Sequence, residues 1–198
     1  MFMVINDIAT RQRLLNLAGF GPLKVDDIRG AKTIAAEKQW AAEQDLIIRD
    51  FGPLDARSEK NVLTLLPDFQ RVTRAWMLAH ARPVAKDMGL TVKIICGTRD
   101  FEEQQRLYNQ GRTTPGARVT NSKSGSSFHN YGAAFDVCLF DSKGAPRWED
   151  SLYKEFFAAA WIPAGCFWGG NFKNFKDYPH VETHAYGATI SELKRLSK

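Results

Sequence analysis

The chain has 198 residues, of which 44% are hydrophobic and 25% charged, as in a globular protein with one large domain or a small module plus a compact domain. No apolar run approaches the roughly 18 residues that a membrane-spanning helix needs, and the three cysteines form no CxxC pair, which argues against a disulfide framework or a four-cysteine zinc site. The formal net charge of +5 suits an anionic partner, but the chain has no Lys/Arg run and no nucleic-acid recognition motif, so no specific nucleic-acid binding is expected.

The N-terminal half reads as helical. Apolar residues at helical spacing predict a helix from about residue 8 that ends at Gly19 and Gly21, and an Ala-rich helix follows through Trp40. Pro53 and the polar stretch DARSEKN suggest a linker. Ser58 is a candidate N-cap for the next helical region, which contains His80 as a packed or surface residue and ends at Gly89.

The second half mixes strands and helices. LTVKIICGTRD predicts a strand ending at Gly97, and DFEEQQRLYNQG a short helix with Asp100 as N-cap and Gly111 as its stop. After a polar loop, AFDVCLF predicts a strand and SLYKEFFAAAWIPAG a helix, and FWGGNF and YPHVE are short strand candidates. Cys96 and Cys138 lie in apolar runs and are expected to be small buried residues. The pattern predicts an α+β fold, with a small sheet and helices before and around it.

Two residues of SFHNYGAAFD could bind a metal ion. A catalytic zinc takes three protein ligands from His, Asp, Glu or Cys and keeps one position for water. His129 and Asp136 supply two candidates, and the small residues between them let the backbone pass close to a metal. An aspartate in an apolar strand is costly to bury, and a metal ion would compensate its charge.

The third candidate lies in KDYPHVE. Pro179 favours an extended segment, in which His180 and Glu182 share one face and Asp177 can lie at the rim of the same site. The competing interpretation is a zincin helix, because His180 and His184 are four residues apart. A zincin requires HExxH, and Val181 occupies the glutamate position, so His184 is placed outside the ligand set.

These motifs, SxHxxGxAxD from Ser127 to Asp136 and DxPH from Asp177 to His180, resemble those of the VanY-like zinc peptidases of the LAS fold. The resemblance is greatest to the L-alanyl-D-glutamate peptidases found as phage endolysins. It runs from about residue 58 to the C-terminus and includes GTRDFEEQQRLYNQGRTTPGARVTNSKSG and WGGNF. The chain departs from the family at CGTR, where SGYR is common, and at YPHVE, and neither change removes a ligand or the base.

The resemblance implies an antiparallel sheet with surrounding helices and a role for each site residue. His129, Asp136 and His180 would bind Zn²⁺, and Asp177 would be the general base. Arg99 would bind the polarised carbonyl oxygen or a substrate carboxylate, with a structural salt bridge as the alternative. The remaining two residues, Ser127 and Gln105, would contact substrate or serve only as caps and loop hydrogen-bonding groups.

Residues 1–50 are predicted to form a separate helical module before a catalytic domain at 58–198. DDIRGAKTIAAEKQW resembles the repeat of three-helix peptidoglycan-binding modules, with matches at Gly30, Thr33, Ala36 and Trp40 and without the usual second glycine. The alternative is a helical cap packed on the catalytic domain. A binding module would raise the enzyme's effective concentration at its polymer.

The resemblance thus implies a zinc endopeptidase that cuts the L-Ala–D-Glu bond of peptidoglycan as a phage lysis enzyme, and we expect a monomer. Within the same class, a D-Ala-D-Ala carboxypeptidase is the alternative. From another class, a wall-binding protein with a purely structural metal remains open. The N-terminus, MFMVINDIATRQRLL, lacks the basic segment of a signal peptide, so we expect synthesis in the cytoplasm and release to the wall by another route.

Overall fold

The computed structural model of the chain describes residues 5–162 and 165–198. The helices are α1 (Ile8–Leu17), α2 (Ala31–Phe51), α3 (Ala56–Val62), α4 (Pro67–Trp76), α5 (Arg82–Asp87), α6 (Phe101–Asn109), α7 (Asp150–Ala160) and α8 (Ile190–Leu196). The strands are β1 (Thr91–Cys96), β2 (Ala134–Phe140), β3 (Pro146–Arg147), β4 (Cys166–Trp168) and β5 (His180–Thr183). None of the helices in the described ranges has the length and hydropathy needed to cross a membrane.

All pairs in the sheet are antiparallel, in the order β1-β2-β5-β4, with β3 pairing the far end of β2. Side chains alternate between its two faces. Phe135, Val137 and Leu139 of β2 join the main core with residues of α4 and α7. Asp136 faces the opposite side. The predicted α+β class with a small antiparallel sheet is confirmed.

The stretch DARSEKN is a helix, so the predicted linker is wrong. Asp55 is the N-cap of α3, and its carboxylate accepts a hydrogen bond from the N–H of Ser58 at 3.0 Å. Ser58 is therefore not the N-cap. It is fully buried, and its hydroxyl accepts a hydrogen bond from the N–H of Ile94 in β1 at 3.0 Å. The polar stretch is helical because one of its faces packs on the sheet.

Helix α4 continues into α5 through a π-helical segment, Met77–Ala81. Pro83 lacks the N–H that an α-helix would bond to Ala79, and π-helical turns commonly absorb such local interruptions. His80 lies in this segment and is exposed, which agrees with its predicted role as a helical surface residue.

Helices α1 and α2 share a second core with the part of the chain that follows them. Leu14 and Trp40 are fully buried in it and pack with Leu66, which precedes α4. Helix α1 also contacts α6 and the C-terminus. The Arg13 guanidinium lies 4.3 Å from the centre of the Phe101 ring, and the Asn16 amide donates to the Ser197 carbonyl at 3.2 Å.

The residues of the predicted peptidoglycan-binding pattern lie along α2. Gly30 is its N-cap, and Thr33, Ala36 and Trp40 are buried. These positions therefore contribute to packing inside the protein. The division into residues 1–50 and 58–198 stays a prediction.

Gly132 is the point where α1 approaches the loop that follows His129. Its φ of +66° is the left-handed conformation that favours glycine, and a Cβ there would lie 2.9 Å from Leu14 Cδ2 and 3.3 Å from the N of Leu66. Gly144 has a similar φ of +78°, but a Cβ there would meet nothing within 4 Å. A side chain at either glycine would strain the backbone, but only at Gly132 would it also crowd neighbouring atoms.

We expect Gly132→Ala to destabilise the protein more than Gly144→Ala. Both substitutions place an L-residue in the left-handed region, at a cost of about 1–2 kcal/mol. Only the first also forces a methyl group into a packed contact, which adds about 1–3 kcal/mol. Urea unfolding of both variants measures the difference, and equal free energies of unfolding would show that the α1 contact is loose.

Candidate metal centre

The register of the sheet brings together residues from three strands. Asp136 of β2 pairs with Cys96 of β1 on one side and with His180 of β5 on the other. Directly paired residues of antiparallel strands lie side by side on the same face. His129 reaches the same place from the 3₁₀ turn Phe128–Tyr131, which ends at the left-handed Gly132.

Three side-chain atoms form a nearly regular triangle there. His129 Nε2 lies 3.1 Å from Asp136 Oδ1 and 3.1 Å from His180 Nδ1, and the last two atoms are 3.2 Å apart. Ligands about 2.0 Å from a tetrahedral metal ion lie about 3.3 Å from one another. The predicted ligands are thus at the mutual spacing that one metal ion requires.

The outward-facing nitrogen of each imidazole already has an acceptor. His129 Nδ1 lies 2.7 Å from the Gly97 carbonyl oxygen, and His180 Nε2 lies 3.0 Å from Glu182 Oε2. Because these oxygens accept hydrogen bonds, each outward nitrogen carries its hydrogen, and the inward nitrogen of a neutral ring presents a lone pair. Such outer hydrogen bonds orient histidines that bind metals. The donor set therefore fits a metal ion.

The charges of the site favour a cation at its centre. Burial by itself would lower the pKa of His129, but the neighbouring Asp136 and Cys96 outweigh it and raise that pKa to about 10. Burial likewise opposes the shift at His180, whose pKa is raised by its hydrogen bonds to Asp136 and Glu182. Burial would raise the pKa of Asp136, yet the two histidines hold it well below the usual range. In the metal-free protein, protons bound to the two histidines supply the positive charge beside Asp136, and a bound divalent metal ion would replace these protons.

Asp177 lies in the same cleft as the three ligands. Burial raises the pKa of its carboxyl, and the nearby negative charge of Asp136 raises it further. Gly169 lets this segment approach the sheet, because a Cβ at Gly169 would lie 2.3 Å from the Asp177 carbonyl oxygen and 3.0 Å from His180 Cβ. The WGGNF motif therefore positions the loop that carries both residues.

Arg99 lies beside the triangle. Its Nη2 is 3.5 Å from Asp136 Oδ2, and its Nη1 donates to Gln104 Oε1 at 2.8 Å. Its backbone N–H donates to the His129 carbonyl at 3.0 Å. The guanidinium lines the cleft and is also an ion-pair partner of Asp136, so both predicted roles are compatible with its position.

Cys96 is not the inert buried residue that the apolar run predicts. It is half-buried, and its Sγ lies 3.8 Å from His129 Nδ1 and accepts from Arg99 Nη2 at 3.4 Å. The sulfur, a ring nitrogen of His129 and a carboxylate oxygen of Asp136 all lie within 4.8 Å of one another, so Cys96 is a further candidate donor at the edge of the triangle. Cys138 is buried as expected.

The two predicted substrate contacts occupy different places. Ser127 lines the cleft and caps the 3₁₀ turn, where its side chain accepts from the His129 N–H at 3.3 Å. Gln105 is not among the residues that line the cleft. Its amide donates to Asn109 at 2.8 Å, and its predicted contact with substrate stays a prediction.

Sequence reasoning missed the neighbouring Gln104. This side chain is fully buried and joins Arg99 to the Ser122 carbonyl, to which it donates at 2.7 Å. The helical period alone does not tell which of two consecutive glutamines faces the site. The segment HVETH is strand β5 and its end, so the zincin helix is excluded.

The three residues of the triangle line an open cleft of about 600 Å³. Its lining combines polar and apolar side chains, so the cleft suits a ligand with both kinds of surface. The polar side chains are Thr120, Asn121, Ser122, Ser126 and Ser127, and the apolar ones include Trp148, Phe172 and Phe175. Trp148 and Phe175 are about half exposed.

Comparison with known proteins supports the resemblance seen in the motifs. Residues 120–183 match the model of a family described as D-alanyl-D-alanine carboxypeptidase. The chain is 40% identical over 110 residues to the peptidoglycan L-alanyl-D-glutamate endopeptidase CwlK of Bacillus subtilis. This match covers 51% of this chain and 65% of the relative. The matched region thus spans slightly less than two thirds of that relative.

A solved structure, the L-Ala D-Glu endopeptidase ChiX of Serratia marcescens, aligns over 66% of this chain and 89% of its own, with 25% identity and a TM-score of 0.46. The family match covers both the SxHxxGxAxD and the DxPH motifs. The resemblance to the VanY-like peptidases is therefore confirmed.

Proposed function

We propose that this protein is a zinc peptidase that hydrolyses the stem peptides of peptidoglycan at the L-Ala–D-Glu bond. The observation that carries the proposal is the triangle of His129, Asp136 and His180, with Asp177 and Arg99 in the same cleft. Two imidazole nitrogens and one carboxylate oxygen are a donor set that zinc accepts, and three ligands leave a position open, as in catalytic sites. The relative CwlK, named for this bond, supports the choice of substrate.

Zinc, when bound, would polarise the scissile carbonyl and lower the pKa of a water molecule. The Asp177 carboxylate accepts a proton from the attacking water and passes it to the amine that leaves with D-Glu. Arg99 is always charged, and its guanidinium binds the oxygen on which negative charge develops. Ser127 and the other polar side chains of the cleft hold the peptide by hydrogen bonds.

The proposal extends to the setting in which the enzyme acts. The net charge of +5 favours association with an anionic wall, and the helices of residues 1–50 could add affinity for the polymer. We infer a monomeric lysis enzyme of the endolysin type, made in the cytoplasm and acting on the wall after release.

The second candidate is a D-Ala-D-Ala carboxypeptidase, which the description of the matching family favours. The two activities share the metal centre and differ in the bond that the cleft presents to it. A purely structural metal is disfavoured, since a structural site has no use for Asp177 and Arg99 beside an open cleft.

Incubation of the zinc-loaded protein with purified peptidoglycan tests the proposal. We expect new N-terminal D-Glu ends, identified by mass spectrometry. Release of free D-Ala instead would establish the carboxypeptidase. Binding to the wall without any cleavage would refute both activities and leave a binding protein.

A further inference from the structure

A chain of hydrogen bonds leads from the metal centre to the protein surface. His180 Nε2 lies 3.0 Å from Glu182 Oε2, and the other oxygen of the same carboxylate, Oε1, lies 3.0 Å from His184 Nε2. Glu182 is almost completely buried, whereas His184 is about one-third exposed. The alternation of β5 places His180 and Glu182 on one face, and His184 directly follows the end of the strand. One buried carboxylate is thus held between a predicted ligand and a second histidine.

The ring of His184 is itself fixed by two aromatic side chains. It stacks on Phe128 with ring centres 5.0 Å apart and on Phe167 with centres 4.1 Å apart, at interplanar angles of 21° and 25°. Phe167 belongs to β4, and Phe128 directly precedes His129. The stack therefore links the segments that carry both histidine ligands.

We propose that His184 is a positioning residue for the metal centre. By donating to Glu182 it fixes the carboxylate that orients His180, and its ring braces Phe128 next to His129. This inference rests on the metal site proposed above.

A buried carboxylate that loses one of its two hydrogen-bond donors is left partly unsatisfied, and this favours its rotation toward another donor. Such a carboxylate holds the imidazole of His180 less firmly. His184 is not among the residues that line the cleft, so it acts on the site through Glu182 and Phe128 and not through the substrate.

The rate of zinc release tests this role without any peptidoglycan. The full chain is loaded with zinc and mixed with an excess of a chromophoric chelator. His184→Phe keeps an aromatic ring in the stack but lacks the donor, and we expect it to release zinc about tenfold faster or more, as loss of such partners does in metal sites. His184→Gln keeps a donor without the ring, and we expect a smaller acceleration. His80→Phe is the matched control, since His80 is exposed in the π-helical segment, and it should release zinc at the wild-type rate.

A double-mutant cycle then asks whether His184 acts through Glu182. We expect Glu182→Gln to accelerate release, and the double variant Glu182→Gln/His184→Phe to be no faster than Glu182→Gln alone. Multiplicative effects would overturn the route through the carboxylate, and a wild-type rate for His184→Phe would overturn the proposal. His184→Leu, which also lacks the donor, decides the question if the phenylalanine variant does not fold. A wild-type protein that fails to retain zinc would refute the metal site itself, a result separate from any difference among the variants.

Discussion

Replacing Asp177 with asparagine is expected to lower the rate of peptidoglycan cleavage by about 10²–10⁴-fold, the usual contribution of a general base. Asparagine has nearly the same shape but cannot accept the proton of the attacking water. The metal should stay bound, because the Asp177 side chain makes no hydrogen bond with the triangle of His129, Asp136 and His180. Cleavage rate and zinc content of the purified variant are the measurements.

Asp87→Asn provides the matched control. Asp87 is exposed at the end of α5, remote from the cleft, so the same change of charge there should leave cleavage unaltered. If Asp177→Asn retained more than about a tenth of the wild-type rate with zinc bound, another group would have to be the base.

Removal of the metal is expected to abolish cleavage and to destabilise the fold. A ligand that binds only the native state at about 1,000 times its dissociation constant adds about 4 kcal/mol of stability, which corresponds to a rise in Tm of about 10 °C for a chain of this size. Without the ion, the partly buried carboxylate of Asp136 depends on protons at His129 and His180 for compensation. Calorimetry with and without a chelator measures the loss, and added zinc should restore both Tm and cleavage.

Asp136→Ala is the control for this experiment, since a variant without the carboxylate ligand should show the same low Tm with or without the chelator. The affinity for zinc should also fall as the pH falls, because the ion competes with protons for both histidines. An unchanged Tm of the wild type after complete metal removal would contradict the assignment of the triangle as the binding site.

The three proposed metal ligands could be singled out from the sequence because each lies in a short stretch with its own local signal. His129 and Asp136 are separated by small residues, and Pro179 makes the segment of His180 extended. The register of the strands brings these residues together, because Asp136 pairs directly with His180, which is 44 residues further along the chain. Only the family resemblance supplied that long-range information. Local spacing carries no signal for it.

Three other features of the structure could not be predicted from local sequence patterns. DARSEKN is polar except for Ala56, and it is held in its helix by the contact of Ser58 with β1, which local sequence does not reveal. The stack around His184 combines β4, the residue that follows β5 and the 3₁₀ turn, so no single short stretch of sequence contains it. Cys96 is drawn to the site by its pairing with Asp136, whereas hydropathy alone placed it in the core.

The contact between Leu14 and Gly132 limits how this protein can be engineered. A chimera in which another binding module replaced residues 1–50 would lack α1, which packs against the loop that carries His129. Leu66 would then lose its partners Leu14 and Trp40 and become exposed to water as part of an apolar surface, which invites aggregation. A soluble chimera would have to keep α1 and the buried face of α2, or replace the uncovered leucine with a polar residue.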